Sequence, residues 1–147
     1  MIRYALTSVA RRLGVPILRH AKAGDLAYDV CACIEHIIPI EPGQIVVVAT
    51  GIHFDSTQSH FYPHAFDRSS MAKSGVKVLA GVLDDGFAGE LQIVLQNTHT
   101  ILYTVFPLGR IAQIIFLPVY KGPVELTRMN ALPRIVHSSD ELASTGN

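Results

Sequence analysis

Apolar positions along this chain come in short runs broken by turn residues, and almost nowhere at the three-and-four spacing of an amphipathic helix. In FAGELQIVLQN (residues 87–97), Leu91, Ile93 and Leu95 alternate with Gln92, Val94 and Gln96, which predicts a strand with one apolar face. RIAQIIFLPVY (residues 110–120) is a second such strand, with Ile111, Gln113, Ile115 and Leu117 on one side, so that Gln113 stands as a polar residue on an otherwise apolar face. EHIIPIEPGQIVVVATGIHF reads as strand, turn, strand, with Pro42 and Gly43 at the central positions of a type II turn. VKVLAGVL (residues 76–83) is a strand leading into GVLDDGFAGELQ, where Asp84, Asp85 and Gly86 have the composition of a hairpin turn. The N-terminal stretch reads as a short first strand and a loop. The only helix expected is SSMAKSG (residues 69–75), capped by Ser and ended by Gly. His60 and His64 flank Pro63, which disfavours helical metal spacing and predicts loop or surface histidines. After Tyr120 the pattern fades, and residues 138–147 are small and polar, like a mobile tail. Many short strands without an internal repeat predict an all-β sandwich or barrel.

Composition adjusts this picture in three ways. The 147 residues fit one domain, and 49% hydrophobic against 16% charged residues, with a mean hydropathy of +0.32, predicts an oligomer in which subunit faces bury part of the surface. A net charge of zero gives no bulk attraction to nucleic acid or anionic membrane, and no apolar run has membrane-spanning length. Neither is expected as a partner. The first 24 residues hold Arg3, Arg11, Arg12, Arg19 and Lys22 and no acid, a transit-peptide balance, but they are read here as part of the folded chain. Cys31 and Cys33, two apart on a strand, are poorly placed for a disulfide and lack the companions of a zinc site. They read as small hydrophobes, compatible with a reducing, cytosolic setting.

Two stretches carry candidate chemistry. In DRSSMAK (residues 67–73), Arg68 precedes Ser69 and Ser70 at a helix start, so a planar guanidinium fork and two hydroxyls can meet phosphate or carboxylate. On its own this is also what a plain helix start with a surface Arg looks like. Asp84 and Asp85 can be turn residues, or one can accept a proton from an attacking water. Neither stretch alone decides. Ser144, Thr145 and Gly146 could wrap a phosphate, or belong to a polar tail.

Taken in order, these pieces resemble the trimeric dUTP pyrophosphatase (dUTPase) family. LAYDVCA resembles its first motif, DRSSMAKSGVKVLAG the second, GVLDDGFAGELQIVLQN the third, GRIAQIIF the fourth and ASTGN the end of the fifth. The resemblance implies a distorted jelly-roll barrel over residues 1–136, a flexible phosphate-binding tail over residues 137–147, and a homotrimer with sites at subunit interfaces. It implies Mg²⁺-assisted hydrolysis of dUTP to dUMP and pyrophosphate, with Asp84 as the general base on the water that attacks the α-phosphorus. Asp29 would hold a metal-bound water or buttress the site. Arg68, Ser69, Ser70 and Gln113 would meet the phosphates, joined by Ser144 and Thr145 from the tail. The backbone of Gly81, Val82 and Leu83 would read the uracil edge, and Phe87 would pack under the deoxyribose where the family has Tyr. The setting implied is cytoplasmic, or nuclear or host-cytoplasmic for a viral source.

The departures also carry expectations. Ala27 replaces a Gly of the first motif; Asp67 stands where Pro often precedes the Arg and could pair with Arg68; PLGRIAQ lacks the usual Gly-Asp. The fifth motif lacks its aromatic lid and its Arg, with His137, Ser138, Glu141, Leu142 and Ala143 in their region, which predicts a tail that closes poorly and a lower turnover or weaker triphosphate binding. An alternative is a catalytically weak or inactive dUTPase-like protein that acts by binding a protein partner. A third reading, the related dCTP deaminase, needs a Glu base where Val94 stands.

Overall fold

The computed structural model describes residues 2–55, 60–84, 89–128 and 131. Its elements are β1 (Arg3–Leu6), α1 (Ser8–Leu13), β2 (Tyr28–Cys31), β3 (Ile38–Ile40), β4 (Ile45–Ala49), β5 (Ile52–Asp55), β6 (Phe61–Phe66), α2 (Ser69–Lys73), β7 (Val76–Leu79), β8 (Gln92–Asn97), β9 (Tyr103–Val105) and β10 (Arg110–Pro118). The strands pair antiparallel in four small sheets, β1–β5, β2–β10–β6, β3–β9 and β4–β8–β7. Among the described strands only β7 and β8 are neighbours both in sequence and in a sheet; the other pairs join distant parts of the chain, as in a jelly roll. The predicted all-β jelly-roll architecture is the one observed.

The inner faces meet in one apolar core that holds Val30, Ile40, Val48, Ile52, Ile93, Leu95 and Ile114. Along β8 and the residue before it the alternation is as read: Leu91, Ile93 and Leu95 are buried, and the next residue of that face, Asn97, is buried as well and donates to the carbonyls of Ile40 and Ile101, both at 2.8 Å. The Pro42–Gly43 turn is also as read, with Gly43 at φ 79° and Gln44 N–H donating to Glu41 at 2.9 Å. Ile114 lies on β10, the central strand of its sheet, with no exposed surface. Ile114→Ala should therefore cost about 2–5 kcal/mol, read as a lower urea midpoint at unchanged slope.

Several local expectations are corrected. The N-terminal stretch holds α1 after its first strand: Thr7 Oγ1 accepts from Ala10 N–H at 3.0 Å, and Gly14, at φ 77°, ends the helix in the left-handed region. In α2 the cap position is Arg68 rather than Ser, without a side-chain cap bond, and the helix ends at Lys73. The strand expected over residues 76–83 stops at Leu79, and its partner starts at Gln92. His64, read as a loop or surface histidine, lies in β6, whose Pro63 is opposite Phe116. No helix among the described residues is long and apolar enough to cross a membrane.

Candidate active site

The first part of the site is built on β2, β10 and the corner between β6 and α2. Antiparallel register sets Asp29 opposite Gln113, and Gln113 opposite Phe66 on the other side of β10. The chain then turns through Asp67 into Arg68. Arg68 Nε donates to Asp29 Oδ1 at 2.7 Å, and its Nη1 donates to Ser70 Oγ at 3.2 Å. Arg110 Nη1 donates to the other oxygen, Asp29 Oδ2, at 3.1 Å. Two guanidiniums thus share one carboxylate, and the cluster keeps a net positive charge. The Asp29 and Arg68 side chains are 22% and 20% exposed, so water screens their pairing less than it screens a surface ion pair. Each guanidinium has five N–H donors and keeps several for a ligand. Gln113 Nε2 donates to the Asp67 carbonyl at 2.7 Å. The side chain of Asp67 accepts from Val78 N–H, so the expected Asp67–Arg68 pair does not form; Asp67 ties the corner to β7, and Asp29 holds the Arg. Asp29, Arg68, Ser69, Arg110 and Gln113 line a cleft of about 610 Å³.

Gln113 reaches this cleft for a reason that strict alternation misses. The register of β10 against β2 shifts between Arg110 and Ala112. This irregularity lets Ile111 and Ala112, neighbours in sequence, both be buried, and moves the inward face to Ala112 and Ile114. Gln113 and Ile115 then share the cleft face, so Gln113 does not lie on the core face with Ile111.

The second part forms where β7 leaves β8. Their pairing runs to Leu79↔Val94. Ala80 then takes φ 55°, a left-handed conformation rare outside glycine, which sends the chain toward β6. The Gly81 carbonyl accepts from Ala65 N–H at 2.9 Å, and Val82 bridges His64. A Cβ on Gly81 would lie 2.3 Å from the Ala65 oxygen, so this approach requires glycine. Because the flanking bond joins Gly81 and Ala65, the N–H and C=O of Val82 itself point away from β6. They lie on the side where the two arms of the hairpin separate, around a pocket of about 290 Å³ lined by Val82, Leu83, Asp84, Glu90, Gln92 and Val94 among others. Of the three residues expected to read a base, Gly81 has its carbonyl engaged, and Val82 presents a donor–acceptor pair.

Asp84 is exposed at this pocket. Glu90, on the opposite arm, was not singled out from the sequence: its Oε1 accepts from Thr50 N–H at 3.1 Å and Gly51 N–H at 2.6 Å, fastening the arm to the barrel. His64 is not a loop or surface histidine. It is partly buried in β6, its ring 4.5 Å from that of Phe66 and its Nε2 against Gly81. Arg110 is a second residue not singled out, although it stands in the GRIAQ stretch. Phe87, Ser144 and Thr145 lie outside the described residues.

Among the described residues the two clefts share no lining residue, and they lie across β6, which has β10 on one edge and the Val82 bridge on the other. Within one chain, Arg68, Ser69, Gln113 and Asp29 come together; Val82, Leu83 and Asp84 come together; the groups stay apart. Cys31 and Cys33 are free and buried, as expected of small hydrophobes, although Cys33 packs with Ala10 and Val15 in a separate cluster. Burial pushes both thiols up from the ordinary range, and the charge of Asp29 adds to this at Cys31, against Arg110 and Arg68. Among the described residues, no three His, Cys, Asp or Glu side chains cluster as a metal cage.

The chain is similar to known proteins throughout. The dUTPase family model matches residues 14–146. The deoxyuridine 5'-triphosphate nucleotidohydrolase of Acinetobacter baylyi is 32% identical over 120 residues, covering 78% of this chain and 80% of the relative. Among solved structures, the native EIAV dUTPase superposes with a TM-score of 0.71 at 20% identity, covering 90% of this chain and 100% of that one. A mutant dUTPase from phage phi11 of S. aureus, a structure describing the coordination of a structural Mg(II) ion, superposes with a TM-score of 0.73 at 15% identity, covering 86% of this chain and 96% of that one.

Proposed function

The chain belongs to the dUTPase family, and from that premise we propose that it hydrolyses dUTP to dUMP and pyrophosphate, with Asp84 taking the proton of the water that attacks the α-phosphorus. The observation that carries this reading is that the open backbone pair of Val82 and the exposed carboxylate of Asp84 line one pocket. The imide edge of uracil alternates acceptor and donor, as the N–H and C=O of Val82 do in reverse. The corresponding edge of cytosine presents a donor beside a bare ring nitrogen, which would set like groups of Val82 against each other. Leu83 continues this wall, and Phe87 packs under the deoxyribose in this reading.

Arg68, Ser69 and Gln113 bind the phosphates, with Ser144 and Thr145 contributing from the tail over residues 137–147. Ser70, tied to Arg68 at 3.2 Å, steadies the guanidinium and can follow it onto a phosphate oxygen. Because base pocket and phosphate cleft are separate in one chain, a complete site joins the pocket of one subunit to the cleft of another. The exposed apolar side chains Ile45, Val47, Phe61, Ile101 and Phe106 supply contact surface for the homotrimer. Asp29 buttresses Arg68 and Arg110, and its oxygens keep lone pairs for a water bound to Mg²⁺. With no acidic cage among the described residues, the donors fit an ion carried mainly by the triphosphate and water. When bound, Mg²⁺ supplies charge neutralisation along the phosphate chain.

The test is Mg²⁺-dependent pyrophosphate release from dUTP, with dCTP, dTTP and UTP alongside. Turnover of dUTP far above the other three is expected. Absence of release by a folded protein would return the chain to the reading of an inactive binder of a protein partner. Val94 lines the base pocket and cannot move a proton, so dCTP should not be deaminated. Gly81→Ala should raise KM for dUTP about tenfold or more, because its Cβ forces the hairpin off β6 and turns the Val82 pair. An unchanged KM would place base recognition elsewhere.

A further inference from the structure

Beyond Ala21, Asp29 and Arg110 the phosphate cleft continues into a second cleft of about 640 Å³, lined in part by Arg19, His20, Cys31 and Leu108 together with these three shared residues. Its only acid among the described residues is Asp29, and both oxygens of that carboxylate already accept from guanidiniums. Arg19 is exposed and has no carboxylate partner among the described residues. Arg110 gives Nη1 to Asp29, and its side chain remains 55% exposed, so its remaining N–H groups can face either cleft.

The walls are tied down. Leu18 N–H donates to Tyr4 Oη at 2.8 Å, which holds the segment that carries Arg19. His20 lies with its ring 4.1 Å from that of Tyr28. On the far wall, Leu108 N–H donates to the Ala32 carbonyl at 3.0 Å. The cleft therefore offers two cations and an imidazole from a preformed frame, with its one negative charge already neutralised. Such a site takes a compact, multiply charged anion.

We propose that this second cleft binds inorganic pyrophosphate, which Arg110 passes across from the phosphate cleft after hydrolysis. The identity of the anion rests on the reading of the chain as a dUTP hydrolase; the existence of the site does not. Two measurements on the full chain test it. Calorimetric titration with pyrophosphate should show weaker binding by about tenfold in Arg19→Gln, and by more in Arg19→Glu. In steady-state assays, pyrophosphate should inhibit the wild type in a mixed pattern against dUTP. Arg19→Gln should relieve the noncompetitive part while leaving the initial rate without pyrophosphate unchanged. Purely competitive inhibition, equal in wild type and Arg19→Gln, would overturn the proposal, as would titrations that do not respond to Arg19. Arg19-dependent binding of pyrophosphate by a chain that fails to hydrolyse dUTP would uphold the site and overturn the hydrolase reading instead.

Discussion

Asp84→Asn is expected to lower kcat for dUTP by about 10²–10⁴-fold while leaving nucleotide affinity near that of the wild type. Asn matches Asp in shape and keeps an oxygen that can orient a water, but an amide does not accept its proton at neutral pH. The substitution therefore isolates proton transfer from positioning. Its structural cost should be small, because Asp84 is exposed and forms no ion pair among the described residues. Its neighbours Val82 and Leu83 line the same pocket and are untouched, so the base should still bind. Single-turnover pyrophosphate release measures the chemical step, and calorimetry with a non-hydrolysable dUTP analogue measures binding. A release rate within about tenfold of the wild type would remove Asp84 from the role of general base.

The two acids of GVLDDGFAGELQ could not be told apart by turn chemistry, since either suits a tight turn. Asp84 falls within the pocket where the hairpin arms part, and Asp85 lies outside the described residues. What was legible in this stretch was the alternation of the second arm, because a half-buried antiparallel strand must place every other side chain in the core. The exit of the first arm was not legible. It depends on Ala80 at φ 55°, a conformation that nothing about alanine announces and that only the pairing of Gly81 with Ala65 explains. The β6 strand that receives this pairing was hidden by Pro63, which removes one ladder donor and argues against a strand in any local reading.

Gln113 shows a different kind of failure. A polar residue on an apolar face drew attention to Gln113, yet the face was wrong. Periodicity counts residues, and one register shift at Ile111 inverts every position after it. Gln113 still lines the cleft, and polarity on a strand so rich in Ile stands out whichever face it occupies. Asp67 erred in the opposite direction. Adjacency in sequence suggested a pair with Arg68, but neighbouring residues on an extended corner point apart, and Asp67 turned to the backbone of Val78. The true partner, Asp29, comes from a strand 39 residues away and could be linked to Arg68 only through the resemblance of the motifs.

That long-range pairing underlies the second large effect. Asp29→Ala should lower kcat by about 100-fold while changing KM for dUTP little. Without the carboxylate, the Nε of Arg68 and the Nη1 of Arg110 lose their shared acceptor, and two like charges face each other across the cleft. Their attraction for a triphosphate does not fall, since a negative charge has been removed from the cleft. What falls is the fixed direction of the guanidinium forks, and transition-state stabilisation depends on direction more than ground-state binding does. The largely buried Arg68 also loses its partner, which should lower stability by about 1–3 kcal/mol, visible as a reduced urea midpoint. Asp29→Asn separates the two contributions. Its amide oxygen can hold one guanidinium but not both, so kcat should lie between those of the wild type and Asp29→Ala. If Asp29→Ala instead raised KM steeply at unchanged kcat, the carboxylate would be acting on substrate affinity, through the ion that travels with the triphosphate, and not as the support that aims the two arginines.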